Sequence, residues 1–297
     1  MKFAYSAELD NFIRSADLFV GALEMREIYC GGSSYNFYIR TTEKEYMLKL
    51  IDDEKRYTHL KNILQRLNVL QNLPEQSFHG LFILVLPYYA GHKITYKDMN
   101  TTTAITDFFA TYQQMQNALT DFAEVLPALN MAELVSEIDT FLMANNDFFC
   151  RIINKLFWQK FKSRLVTPHT QKNVLHGDLT ANNILVHNGA FFLLDFELVR
   201  YGAETEDMAG LLLQLSGFRA LYGNLRAFAK LYHQLNELKS YTPSDWLYGV
   251  QMFYINTLLR RLRNADKKRR NWRKSLCLLI ILSGYWRVDN FLNSQRQ

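Results

Sequence analysis

Between Leu175 and Glu197 the chain sets His176, Asp178, Asn183 and Asp195, side chains that can handle protons or metal ions, among apolar residues. Asp178 lies in a stretch of turn formers, His176-Gly177-Asp178-Leu179-Thr180-Ala181-Asn182-Asn183, with apolar residues on either side. Asn188-Gly189 then divides Ile184-Leu185-Val186 from Phe191-Phe192-Leu193-Leu194. Asn-Gly is a strong hairpin signal, because a type I′ turn needs positive φ at both central residues. A hairpin there brings Asn183 and Asp195 to the same open end of two paired strands. One amide oxygen and one carboxylate form a hard-oxygen pair of the kind Mg²⁺ takes, its other ligands being waters and substrate phosphates. Asp178, close but outside that pair, is placed to orient or deprotonate a hydroxyl.

The rest of the chain must hold these groups in place. Residues 5–18 carry Leu9, Phe12, Ile13 and Leu18 at helical spacing. Short strands are expected over Glu24 to Tyr29, Tyr35 to Arg40 and Tyr46 to Ile51, with the turn-forming run Cys30-Gly31-Gly32-Ser33-Ser34 between the first two. A helix over residues 54–72 follows from Leu60, Ile63, Leu64, Leu67 and Leu70, and Leu81 to Leu86 reads as a buried strand broken at Pro87-Tyr88. Beyond residue 100 the pattern is helical, apart from strand-like character over Val174 to Glu197. The expectation is an α+β chain of two unequal lobes, residues 1–88 and 89–297.

The order His176-Gly177-Asp178, then Asn183, then a hydrophobic strand ending in Asp195, resembles the catalytic segment of the aminoglycoside phosphotransferase and choline kinase superfamily. That resemblance implies a protein-kinase-like fold with a β-rich N-lobe and a mainly helical C-lobe. It implies ATP and Mg²⁺ as cofactors, Asp178 and His176 as catalytic residues, and Asn183 and Asp195 as metal ligands. It places nucleotide phosphates against Gly31, Gly32, Ser33, Ser34 and Lys49, and the adenine edge at the backbone of Pro87 and Tyr88. Asp207 matches a helix-start aspartate that fixes the catalytic loop through backbone hydrogen bonds. The activity implied is transfer of a γ-phosphoryl group to a small-molecule hydroxyl.

Two features bear on the acceptor and on the mechanism. Asp195 and Asp207 are twelve residues apart, which leaves no room for a protein-docking activation segment, so a sugar, amino alcohol or related metabolite is the expected acceptor. No Glu lies between Glu54 and Glu75, so Glu54, five residues past Lys49, is the candidate partner for that lysine. Without such a pair the alternative is a kinase-fold binding or assembly component that transfers no phosphoryl group.

The formal net charge is +5. Residues 260–274 hold nine basic residues against Asp266, a local +8, which leaves −3 for the rest of the chain. This run reads either as a solvated face remote from the site or, where it meets the acceptor, as a contact for an anionic acceptor or a membrane surface with a lipid-linked acceptor; nucleic acid is not expected. Cys30, Cys150 and Cys277 form no CxxC pair, and no apolar run reaches a membrane span, so a cytoplasmic setting is expected.

Overall fold

The computed structural model describes residues 7–28, 34–71, 77–144, 151, 153–168, 172–218, 223–266 and 284–296. Its contacts divide the chain into two compact units, Met1–His92 and Lys93–Gln297. The break falls four residues beyond the expected 88/89 division. From residue 93 the backbone already bonds to the second unit, through Ile94 N–H and the Ile184 carbonyl at 3.0 Å.

The first unit is a helix α1 (Ala7–Ser15), strands β1 (Glu24–Ile28), β2 (Tyr35–Arg40) and β3 (Glu45–Ile51), helix α2 (Glu54–Arg66), and strands β4 (Ser77–Phe78) and β5 (Leu81–Pro87). The strands form one antiparallel sheet in the order β1-β2-β3-β5-β4. Successive side chains leave opposite faces of a strand. Phe37, Ile39, Leu48, Leu50, Ile83 and Val85 accordingly share one face and pack with Leu9 and Ile13 of α1. Lys49 pairs with Leu84, and Ile51 with Phe82, so Lys49 lies on the other face, where Tyr57 of α2 stacks on Phe82 at 4.8 Å. Asp53 caps α2 by accepting the Arg56 N–H at 2.9 Å.

The second unit follows short strand β6 (His92–Lys93) with α3 (Thr102–Leu119), α4 (Met131–Ala144), a π-helical turn over Ile153–Trp158 and α5 (Gln159–Lys162). Next come β7 (Lys172–Leu175), β8 (Ile184–His187), β9 (Ala190–Leu193), β10 (Arg200–Ala203), α6 (Glu204–Leu215), α7 (Leu225–Leu238) and α8 (Pro243–Asp266). Residues 284–294 form a last helix, α9. β8 and β9 are the expected hairpin, and Asn188 and Gly189 carry φ of 50° and 80°. β10 pairs antiparallel with β7, a strand the sequence reading left unassigned.

Helix α6 is the centre of this unit, buried continuously from Glu204 to Leu213. It crosses α8 so closely that a Cβ at Gly249 would stand 2.0 Å from the Thr205 carbonyl oxygen. That crossing fixes where the rest of α8, including Arg260, is carried.

Candidate active site

The segment 176–183 is held from behind by one buried carboxylate. Asp207, 3% exposed in the first turns of α6, accepts the backbone N–H of His176 at 2.7 Å and of Gly177 at 3.1 Å. Tyr112 of α3 donates its hydroxyl to the same carboxylate at 2.9 Å. The helix begins at Glu204, so Asp207 lies inside it and is not its N-cap.

Gly177 is demanded by geometry. Its φ is 80°, and a Cβ there would stand 1.7 Å from the Leu198 carbonyl oxygen. Its own carbonyl accepts from Arg200 Nη1 at 2.6 Å, and Arg200 Nη2 pairs with buried Glu206 at 2.9 Å. Glu206 also accepts the Ala203 N–H at 3.0 Å, which ties the end of β10 to α6.

His176 lies beneath the surface of the loop. It is fully buried, its Nε2 donates to the Leu194 carbonyl at 2.8 Å, and its ring lies 5.2 Å from that of Phe196. A carbonyl only accepts, so Nε2 carries the proton. For His176, expected to be catalytic, the structure shows a buried side chain that ties the start of the loop to the strand that delivers Asp195.

Asp178 is half-buried and reaches solvent. Asn183 Nδ2 donates both to its carbonyl, at 2.9 Å, and to its Oδ2, at 3.1 Å. Arg260 Nη2, from α8, donates to its Oδ1 at 3.0 Å.

The Leu194 N–H bonds to the Asn183 carbonyl at 2.8 Å, so Asn183 and Asp195 stand at the same open end of the β8–β9 ribbon. Asp195 is exposed and adopts the left-handed conformation, φ 62°, a state non-glycine residues hold mostly where the surroundings impose it. Asn183 has Nδ2 committed to Asp178, which leaves Oδ1 as its ligating atom. The pair offers the hard-oxygen chemistry that a divalent cation takes. Among the described residues no three His, Cys, Asp or Glu side chains converge on one point, so such an ion would draw further ligands from substrate and water.

In the first unit Lys49 is buried on β3, on the α2 face of the sheet. Ser34, just before β2, is also buried. Gly31, Gly32 and Ser33 lie outside the described residues, as does the basic run beyond Asp266. Glu54 stands exposed in the first turn of α2. Pro87 closes β5, and the Tyr88 N–H is bonded to the Glu45 carbonyl at 3.1 Å. That bond removes this N–H from the donors expected for a nucleotide base.

The family model described as the phosphotransferase enzyme family matches residues 24–238, which is most of the chain and the site just described apart from Arg260. The chain belongs to the phosphotransferase enzyme family. Solved structures agree on the fold at low identity. A choline/ethanolamine kinase family protein from Mesorhizobium loti superposes with a TM-score of 0.60 at 13% identity, covering 95% of this chain and 93% of its own. Choline kinase from Cryptosporidium parvum gives 0.56 at 12%, covering 93% and 91%. An aminoglycoside phosphotransferase in ternary complex with AMP-PNP and hygromycin B gives 0.59 at 12%, covering 94% and 99%. No curated protein matches the chain in sequence. The architecture of this phosphotransferase is thus α+β and protein-kinase-like, with a β-rich first unit and a mainly helical second.

Sequence reasoning did not reach Arg200, Glu206, Tyr112 or Arg260. Only Arg260 left a trace there, as the first basic residue of a charged run.

Proposed function

We propose that this phosphotransferase moves the γ-phosphoryl group of ATP to a hydroxyl of a small molecule. The observation that carries the reading is the support of Asp178: a solvent-reaching carboxylate whose loop is fixed by Asp207 and Arg200 and whose Oδ2 is fixed by Asn183. A carboxylate so braced can align an acceptor hydroxyl and take its proton as the new O–P bond forms. Asn183 Oδ1 and Asp195 would hold Mg²⁺, which when bound neutralises charge on the nucleotide phosphates. Lys49 and the chain around Ser34 would bind those phosphates. His176 and Asp207 act on the loop and touch no substrate.

The Asp178→Asn variant tests this. Turnover should fall by about 10²–10⁴-fold, the range for loss of a positioned general base, with Mg-ATP affinity nearly unchanged. A variant that phosphorylates at the normal rate would remove Asp178 from the mechanism.

A second reading, a kinase-fold protein without phosphotransfer, draws on exposed Glu54 and on the Arg260 guanidinium bonded to Asp178. Thermal unfolding with and without millimolar Mg-ATP separates the two, because a nucleotide that binds only the folded chain raises its stability. No shift and no slow hydrolysis favours the second reading.

A further inference from the structure

We propose that Arg260 is an acceptor-specificity residue and that the acceptor carries an anionic group, phosphate or carboxylate, near the hydroxyl that is phosphorylated. This rests on the phosphotransferase reading and names its acceptor class. Asp178 Oδ2 is engaged by Asn183, so Oδ1 is the oxygen left for an incoming hydroxyl, and there Arg260 Nη2 stands at 3.0 Å. An acceptor must either share Oδ1 with this guanidinium or move it aside. A cationic acceptor meets a like charge at the reacting end. An anionic one gives the guanidinium a second partner, which suits a planar fork of five N–H donors. Among the described contacts only Nη2 is engaged, and the Arg260 side chain is 52% exposed.

The surroundings point the same way. Lys93 Nζ donates to Asn182 Oδ1 at 2.9 Å, at the far end of the same loop. Among the described residues the two exposed side chains that bond this loop from outside it are thus both cations, beside the neutral, half-buried Gln214 that accepts the Ala181 N–H. The Glu137–Arg263 pair, one turn further on, is bidentate at 2.6 and 2.8 Å and self-neutralised, so it supplies no competing charge.

The test uses the whole chain with Arg260→Ala and Arg260→Lys. A panel of hydroxyl compounds, grouped as phosphate- or carboxylate-bearing, neutral, and amine-bearing, is assayed for phosphotransfer. The best acceptors are expected in the anionic group. Arg260→Ala should cut their kcat/KM by thirty-fold or more, mainly through KM, a loss at least tenfold greater than that of neutral acceptors, with Arg260→Lys recovering part of it. A best acceptor bearing an amine, or an equal loss in all three groups, overturns the proposal. So does a loss confined to Mg-ATP affinity, which would place Arg260 on the nucleotide.

A second measurement does not need turnover. Calorimetric titration of the Mg-ADP-saturated protein with inorganic phosphate should show a binding event weakened at least tenfold by Arg260→Ala, and identical isotherms overturn the proposal. If Mg-ADP itself does not bind, the phosphotransferase reading fails instead, and the same titration without nucleotide still decides the Arg260 assignment.

Discussion

Asp207 Oδ2 accepts the backbone N–H of His176 at 2.7 Å, across 31 residues of sequence. The same carboxylate takes the Gly177 N–H and the Tyr112 hydroxyl, so one buried group sets the backbone that presents Asp178. Asp207→Ala strands three buried donors. It should destabilise the protein by about 3 kcal/mol or more and remove activity even where the fold survives. Asp207→Asn keeps the size but turns an acceptor into a partial donor, so it should lose most of the same stability. Chemical denaturation paired with turnover checks both, and a Asp207→Asn protein of normal stability would mean that the loop is fixed by something else.

Arg200 and Glu206 form the second brace, and both are nearly excluded from solvent, at 10% and 3% side-chain exposure. Removing one partner of a buried pair leaves an uncompensated charge, at a cost of about 3–5 kcal/mol. Arg200→Met should show that loss. The double variant Arg200→Met, Glu206→Gln should be less destabilised than the sum of the two singles, because the second change removes the stranded charge. Additive effects in a double-mutant cycle would show that the pair is not coupled.

Gly177 gives a sharper backbone test. Gly177→Ala forces a Cβ onto the Leu198 carbonyl oxygen in a residue held at φ 80°, so folding yield and turnover should both collapse. Gly189→Ala is the control: its φ is also 80° but nothing lies within 4 Å of the added carbon. It should cost about 1 kcal/mol, the strain of left-handed backbone alone, with activity retained. Equal damage from the two would show that strain and not the collision dominates.

How much of this could be read from the sequence depends on how local the signal is. The β8–β9 hairpin was legible because Asn188-Gly189 and the flanking apolar runs lie within about ten residues. The end of α2 was not. Leu67 and Leu70 continue the helical spacing, but Asn68 enters the left-handed region at φ 54° and stops the helix. β10 was missed because Arg200-Tyr201-Gly202-Ala203 is short and contains glycine, and its partner β7 lies some twenty-five residues earlier. Arg200 and Glu206 were invisible for a different reason: charged residues are rarely buried unless paired, and sequence does not show the pairing. The charge of residues 260–274 was plain, but the contact of its first member, Arg260, with Asp178 spans 82 residues.

The metal assignment makes a prediction of its own. Asp195→Asn keeps the strand end but replaces a carboxylate by a weaker neutral oxygen. The stabilisation by ATP that depends on Mg²⁺ should shrink sharply in this variant, while stabilisation by ATP in the presence of a chelator should stay as in the wild type. Asn183→Ala should do the same and, by releasing Asp178 Oδ2, also lower turnover at saturating Mg²⁺. Unchanged Mg²⁺ dependence in both variants would move the cation elsewhere.

Tyr112 makes the support of the 176–183 loop a source of pH-dependent stability. Burial holds its hydroxyl well above the ordinary tyrosine range, and the neighbouring charge of Asp207 pushes in the same direction. A group whose pKa is raised on folding stabilises fully below its unfolded value, near 10, and loses that contribution as pH rises toward the folded value. Tyr254 and Tyr285 are buried and raised in the same sense, so absorbance titration should show a late, cooperative tyrosinate step coincident with unfolding. Tyr112→Phe removes one donor from Asp207 and should cost about 1–2 kcal/mol at neutral pH. It also removes the alkaline penalty, so the gap to the wild type should narrow above pH 10. A gap that stays constant with pH would mean that the Tyr112 hydroxyl titrates alike in the folded and unfolded chain.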